Sequence, residues 1–159
     1  TDWSDSASWF TFKLSWISID HQFGDGNAIG LYRNGEWLTK PRLGYGANVG
    51  SSDYQNTIAI QNPAFTDVSF WMANVARGSQ WAYDPAGDPP TPIWNSNPEY
   101  TYVEGDATNL YNCPNINAMD VQHASRSVFY LKPNIVVTYD RATTATAGRF
   151  KRFHLNTAV

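Results

Sequence analysis

The dipeptide Asn34-Gly35 sits between two short apolar runs, residues 28–33 and 36–39. Asn and Gly both tolerate the positive φ of a type I′ turn, whose twist suits paired strands, so this spacing predicts a tight β-hairpin. The same punctuation recurs along the chain. Residues 8–19 alternate well enough for a strand or two, with Trp9, Thr11 and Lys13 on one face and Phe10, Phe12 and Leu14 on the other. Residues 57–61 read as a strand stopped by Asn62-Pro63, and 100–104 as another. Residues 119–131 and 134–140 form a strong hairpin turned by Lys132-Pro133-Asn134. A small-residue loop, 142–148, precedes a last strand over 149–155. Residues 67–76 suit a strand and a short helix equally. No segment shows sustained helical periodicity with caps.

Several short strands separated by turn signals predict an all-β fold, an antiparallel β-sandwich with little helix. The 159 residues fit one domain, 1–159, and allow a real core. Residues 77–99 break the pattern. Five of the nine prolines lie between Pro85 and Pro98, which predicts a long Pro-rich loop outside the core.

Composition narrows the function. Hydrophobic residues at 42% exclude a disordered chain. Charged residues at 16% and aromatics at 15%, with many Asn, Ser and Thr, suit an extracellular type of all-β protein. Aromatic faces stack on sugar rings; they also favour strands and cores, so this signal has a purely structural reading. A net charge of −3 argues against nucleic acid, which calls for a basic patch. A polyanionic glycan would need local cations, for example Lys40 with Arg42 or Lys151 with Arg152. The single cysteine, Cys113, excludes an intrachain disulfide and lacks a basic sequence neighbour that would make it a nucleophile. No apolar run approaches the ~18 residues of a membrane span. There is no signal-peptide pattern, and both ends of the chain read as cut from something longer.

The chemistry concentrates between Asp20 and Trp37, where His21 and Asp25 stand four apart in a Gly-rich turn. Imidazole and carboxylate are ordinary metal ligands, but a site needs a third. Equally, Asp25 caps the turn and His21 bonds backbone. The second region is Tyr45 to Asn56, a loop with two tyrosines, Gln55, Asn56 and glycines, which suits either a sugar cleft or a polar connection. Tyr45 and Tyr54 are candidate acid or base groups. Asp140 pairs with Arg126 across the long hairpin or caps the next turn; either role is structural. No phosphate-binding glycine pattern or nucleophile elbow occurs.

Several runs in order resemble one enzyme family. Trp3-Ser4-Asp5 through Phe12-Lys13, Asp20-His21-Gln22 with Asp25, and Leu31-Tyr32-Arg33-Asn34-Gly35-Glu36-Trp37-Leu38 look like the start of the β-sandwich region of heparinase II/III-like polysaccharide lyases. Gln55-Asn56-Thr57-Ile58 is similar to that family's His-Asn-Thr-Leu strand. Arg126 through Pro133 and Val136 through Arg141 resemble its later hairpin. The central Pro-rich stretch has no counterpart.

The resemblance implies a portion of a lyase supersandwich that normally follows an α/α-toroid, with a cleft between the two. It implies cleavage of uronic-acid polysaccharide by β-elimination, in a secreted or periplasmic setting. The catalytic candidates are then Tyr45, Tyr54 and His21, and the substrate-binding ones Arg42, Gln55 and Asn56. The partner is an acidic polysaccharide, with no nucleic acid and no membrane. The toroid and its main catalytic residues are absent from this sequence. A sandwich without it also predicts homo-oligomers through exposed strand edges. The family's zinc is implied with most of its ligands replaced, leaving His21 and Asp25 as the metal candidates and no other cofactor. The usual His-x-His-x-Asp reads His21-x-Phe23-x-Asp25, the acid after the hairpin falls near Thr39 or Lys40, and Gln55 replaces a histidine. The alternative function is a non-catalytic carbohydrate-binding or structural sandwich module.

Overall fold

A computed structural model of the chain describes residues 4–14, 16–17, 22–42, 44, 50–62, 77–82 and 84–158. The candidates His21 and Tyr45, and the ambiguous segment 67–76, lie outside the described residues. The described residues form β-strands joined by turns and short 3₁₀ segments, an all-β antiparallel architecture. The strands are β1 (Ser8–Lys13), β2 (Ala28–Arg33), β3 (Glu36–Trp37), β4 (Ile58–Ile60), β5 (Ile93–Ser96), β6 (Tyr100–Asp106), β7 (Val121–Leu131), β8 (Ile135–Thr144) and β9 (Lys151–Phe153).

They assemble as β1-β2-β3, β4-β9 and β5-β6-β7-β8, every pair antiparallel. The first two groups share a layer. Ile29 N–H donates to the Asn56 carbonyl at 3.1 Å, Lys40 N–H to the Asn156 carbonyl at 2.8 Å, and Thr39 bridges Thr157. The β5–β8 sheet is the opposing layer. Between the layers Phe10 and Phe12 of β1 meet Ile29, Val103, Val128 and Val136, so the alternation of β1 does set its inward face. A second cluster joins Ile58 and Ile60 to Leu110, Tyr111, Val121 and Ala124.

The Asn34-Gly35 turn has φ of 52° and 84°, as the hairpin requires. Arg126 and Asp140 face each other across β7 and β8 and pair through two contacts, 2.7 and 3.0 Å. The remaining guanidinium nitrogen crosses the core to the carbonyls of Asn27 and Asn56, at 2.8 and 2.7 Å. The long hairpin runs further than its apolar pattern suggests, because Ala142–Thr144 continue β8 where a loop is expected.

The Pro-rich stretch departs from expectation. It supplies an edge strand, β5, and its first residues enter the core: Ser79, Gln80 and Trp81 are buried. Trp81 packs on Cys113 and Ala118, and its indole N–H donates to the Tyr111 carbonyl at 3.1 Å. Prolines mark the later part of this stretch, whereas Gln80 and Trp81 precede them and carry its packing. Burial pushes the Cys113 thiol up, in keeping with an inert core residue.

Candidate functional site

The Gly-rich turn and the second candidate loop meet in space. Gly24 N–H donates to the Gly50 carbonyl at 2.7 Å, and Ser52 Oγ donates to the Gly24 carbonyl at 2.6 Å. A Cβ on Gly24 would stand 2.7 Å from Ser52 Oγ and 2.8 Å from Ser79 Oγ, so only glycine permits this approach. Gln80 clamps the same turn: its Oε1 accepts from Gly26 N–H at 2.7 Å, and its Nε2 donates to the Gly26 carbonyl at 2.9 Å.

Above this floor, Ser52–Tyr54 makes a 3₁₀ turn just before β4 and presents Asp53 and Tyr54. Two guanidiniums stand over the Tyr54 ring. Arg42 and Arg77 each place their central carbon 4.7 Å from its centroid. Arg77 Nε donates to Asp53 Oδ2 at 2.7 Å, its NH2 makes an ion pair with the same oxygen, and this bonding raises the guanidinium's pKa. The other Asp53 oxygen is buried with no hydrogen-bond partner among the described residues. Gly78, at φ +80°, lets this segment lie against β4, where a Cβ would be 2.8 Å from the Ile60 nitrogen.

His154 joins from the partner strand. β9 pairs with β4, and His154 N–H donates to the Thr57 carbonyl at 3.0 Å, which puts it at the Tyr54 end of the pair. Desolvation lowers its pKa; Asp53 opposes this, while Arg152 and Arg77 add to it. The imidazole is therefore neutral at neutral pH.

The other sequence candidates divide between the Tyr54 cluster and the scaffold. Arg42 is exposed and tied to the turn through its N–H on the Tyr54 carbonyl, 3.0 Å. Gln55 is buried and donates to the Arg42 carbonyl at 3.2 Å. Asn56 does not face solvent. Its amide donates to the Ile29 carbonyl at 2.9 Å and accepts from Asn156 N–H at 2.7 Å, so it serves the scaffold rather than a ligand. Sequence reasoning missed Asp53, Arg77 and His154 as one group. Scarcity is the only signal for His154, one of three histidines; nothing local marks Arg77.

Among the described residues, the positions where the resemblance implies zinc are engaged within the protein, and His21 lies outside those residues. Asp25 Oδ2 accepts the Lys13 ammonium at 2.5 Å. Thr39 Oγ1 accepts from Leu31 N–H at 2.9 Å, and Gln55 is engaged as described. Among the described residues no three His, Cys, Asp or Glu side chains converge on a metal position. Burial raises the Asp25 pKa, and Lys13 opposes the shift.

No protein-family model matches the chain, and no curated protein matches it. Among the described residues no helix is long and apolar enough to cross a membrane.

Proposed function

We propose that this chain is the β-sandwich portion of a polysaccharide lyase that cleaves uronic-acid-containing polysaccharide by β-elimination. One observation carries the reading: a tyrosine ring in contact with two guanidiniums, and a histidine that feels the charges of the neighbouring Asp53 and Arg77, at one end of the β4-β9 pair. Elimination needs three things. A base takes the C5 proton, a cation steadies the charge that spreads into the uronate carboxylate, and an acid protonates the departing O4. Neutral His154 suits the base, Arg42 and Arg77 the carboxylate, and the Tyr54 hydroxyl the acid. The C5–H and C4–O bonds break, the C4–C5 double bond forms, and the leaving oxygen takes up a proton. A uronate polymer lies outside the cytoplasm, so the setting is secreted or periplasmic. A helical half across the cleft would complete the substrate channel.

The test is an alginate and a heparan-type polymer incubated with the protein and read at about 230 nm, where only the new conjugated double bond absorbs. Absorbance should rise, and Tyr54→Phe should reduce the rate by about 10²-fold or more, the usual weight of one acid-base group. Binding with no absorbance would instead establish the non-catalytic carbohydrate-binding module.

A further inference from the structure

The outward face of β1-β2-β3 holds a hollow of about 340 Å³, separate from the Tyr54 cluster but joined to it through Gln55 and Pro41. That volume lies in the range of small-molecule sites. Trp37 forms its wall. The indole is fixed by Trp9 and Tyr32, edge-on at 4.9 and 5.7 Å between ring centroids, yet Trp37 remains 45% exposed. Gly30 and Thr11 form the floor. A Cβ on Gly30 would be 3.3 Å from the indole and 2.7 Å from Thr11 Oγ1, so the missing side chain is what lets the ring lie over the strand.

The polar groups stand at the opposite end. Asp25 and Lys13 make their ion pair there, and Lys40 stands exposed at the rim with no ion pair among the described residues. Two ammoniums against one carboxylate leave the rim positive on a chain whose net charge is −3. A flat apolar wall facing a carboxylate acceptor and a spare cation matches a pyranose bearing a carboxylate. The ring's C–H face meets indole, its hydroxyls meet Asp25, and its carboxylate meets Lys40.

We propose that this hollow is a subsite for one uronate residue of an acidic polysaccharide, with Trp37 as stacking platform and Lys40 as carboxylate partner. The inference rests on the proposed function for its substrate class and extends the binding track beyond the Tyr54 cluster.

The experiment is a nuclear magnetic resonance titration of the whole chain with tetramannuronate and, as neutral counterpart, mannotetraose. The acidic oligomer should shift the Trp37 indole and Gly30 amide signals and bind at least about tenfold more tightly than the neutral one, one charge-assisted contact being worth that much. Trp37→Ala should weaken both oligomers about tenfold or more, and Trp37→Phe should restore part of the loss. Lys40→Ala should weaken the acidic oligomer alone. Both residues are exposed, and dispersed spectra of each variant report that it folds. Shifts elsewhere but not at Trp37 and Gly30, equal affinity for the two oligomers, or unchanged binding in Trp37→Ala would overturn the subsite. The two proposals fail separately. Binding at the hollow without the 230 nm signal removes the lyase reading and keeps the subsite. Elimination with KM unchanged in Trp37→Ala removes the subsite and keeps the lyase.

Discussion

Tyr111 and His154 show how burial sets the chemistry of single residues. Tyr111 is enclosed, and desolvation pushes its pKa up to about 12. Its hydroxyl donates to the Ile58 carbonyl at 2.5 Å and accepts from Gln80 Nε2 at 3.0 Å. A folded-state pKa raised above the unfolded value means that the stabilisation is complete below about pH 10 and is lost as pH rises towards 12. Equilibrium denaturation should show falling stability across that window. Tyr111→Phe should flatten the decline and cost about 1–3 kcal/mol at neutral pH, because a buried carbonyl loses its donor. His154 runs the other way. Its folded pKa lies below 6.5, so its contribution to stability is complete above that value and falls as the imidazole is forced to protonate in acid. In the proposed reaction the acid limb of the rate profile should accordingly lie below pH 6.5, and a limb at or above it would remove His154 as the base.

At the scale of elements, the hairpins follow from local chemistry and the joints between them do not. Asn34-Gly35 specifies its turn with two residues, and the inward Phe10 and Phe12 follow from simple alternation. The Gly-rich turn is different. Gly24 and Gly26 look like ordinary loop glycines, and their necessity appears only where Ser52, Gln80 and Leu110 arrive from distant parts of the chain. A Cβ on Gly26 would fall 2.5 Å from Leu110 and 2.8 Å from Gln80. Gly26→Ala should therefore destabilise the fold by about 1–3 kcal/mol, the usual cost of overpacking a filled site. Thermal denaturation, with Gly50→Ala as comparison at a glycine whose added Cβ would meet only ordinary contacts of 3.7–3.9 Å, checks this.

Across the whole molecule, Arg126 ties the two layers together. Its side chain is fully buried, and it binds Asp140 beside it and two carbonyls of the opposite layer. The pairing with Asp140 is legible in the sequence as two residues facing across a hairpin; the reach to Asn27 and Asn56 is not. Arg126→Ala should lower stability by about 3–5 kcal/mol in urea denaturation, because it leaves the Asp140 carboxylate without its partner and the buried Asn27 carbonyl without its donor, while the Asn56 carbonyl keeps only the Ile29 N–H. Arg126→Lys should recover little, since one ammonium cannot span both the carboxylate and the far carbonyls. The same carbonyl of Asn56 connects this strut to the turn carrying Tyr54, so loss of Arg126 should also blunt any activity of the cluster.

The amino-acid sequence determined most of the strands, their alternation and the Asn34-Gly35 hairpin, because each depends on neighbours within a few residues; it did not mark β5 within the Pro-rich stretch. It also offered Tyr54, Arg42 and Gln55 as candidate site residues. Tertiary structure alone decided that Arg77 and His154 join Tyr54, that Asn56 turns inward, and that Trp37 lies over Gly30 to open a hollow. These outcomes depend on antiparallel pairing between β4 and β9 and on close backbone approaches at glycines. Contacts between residues so far apart along the chain leave no local periodicity to read.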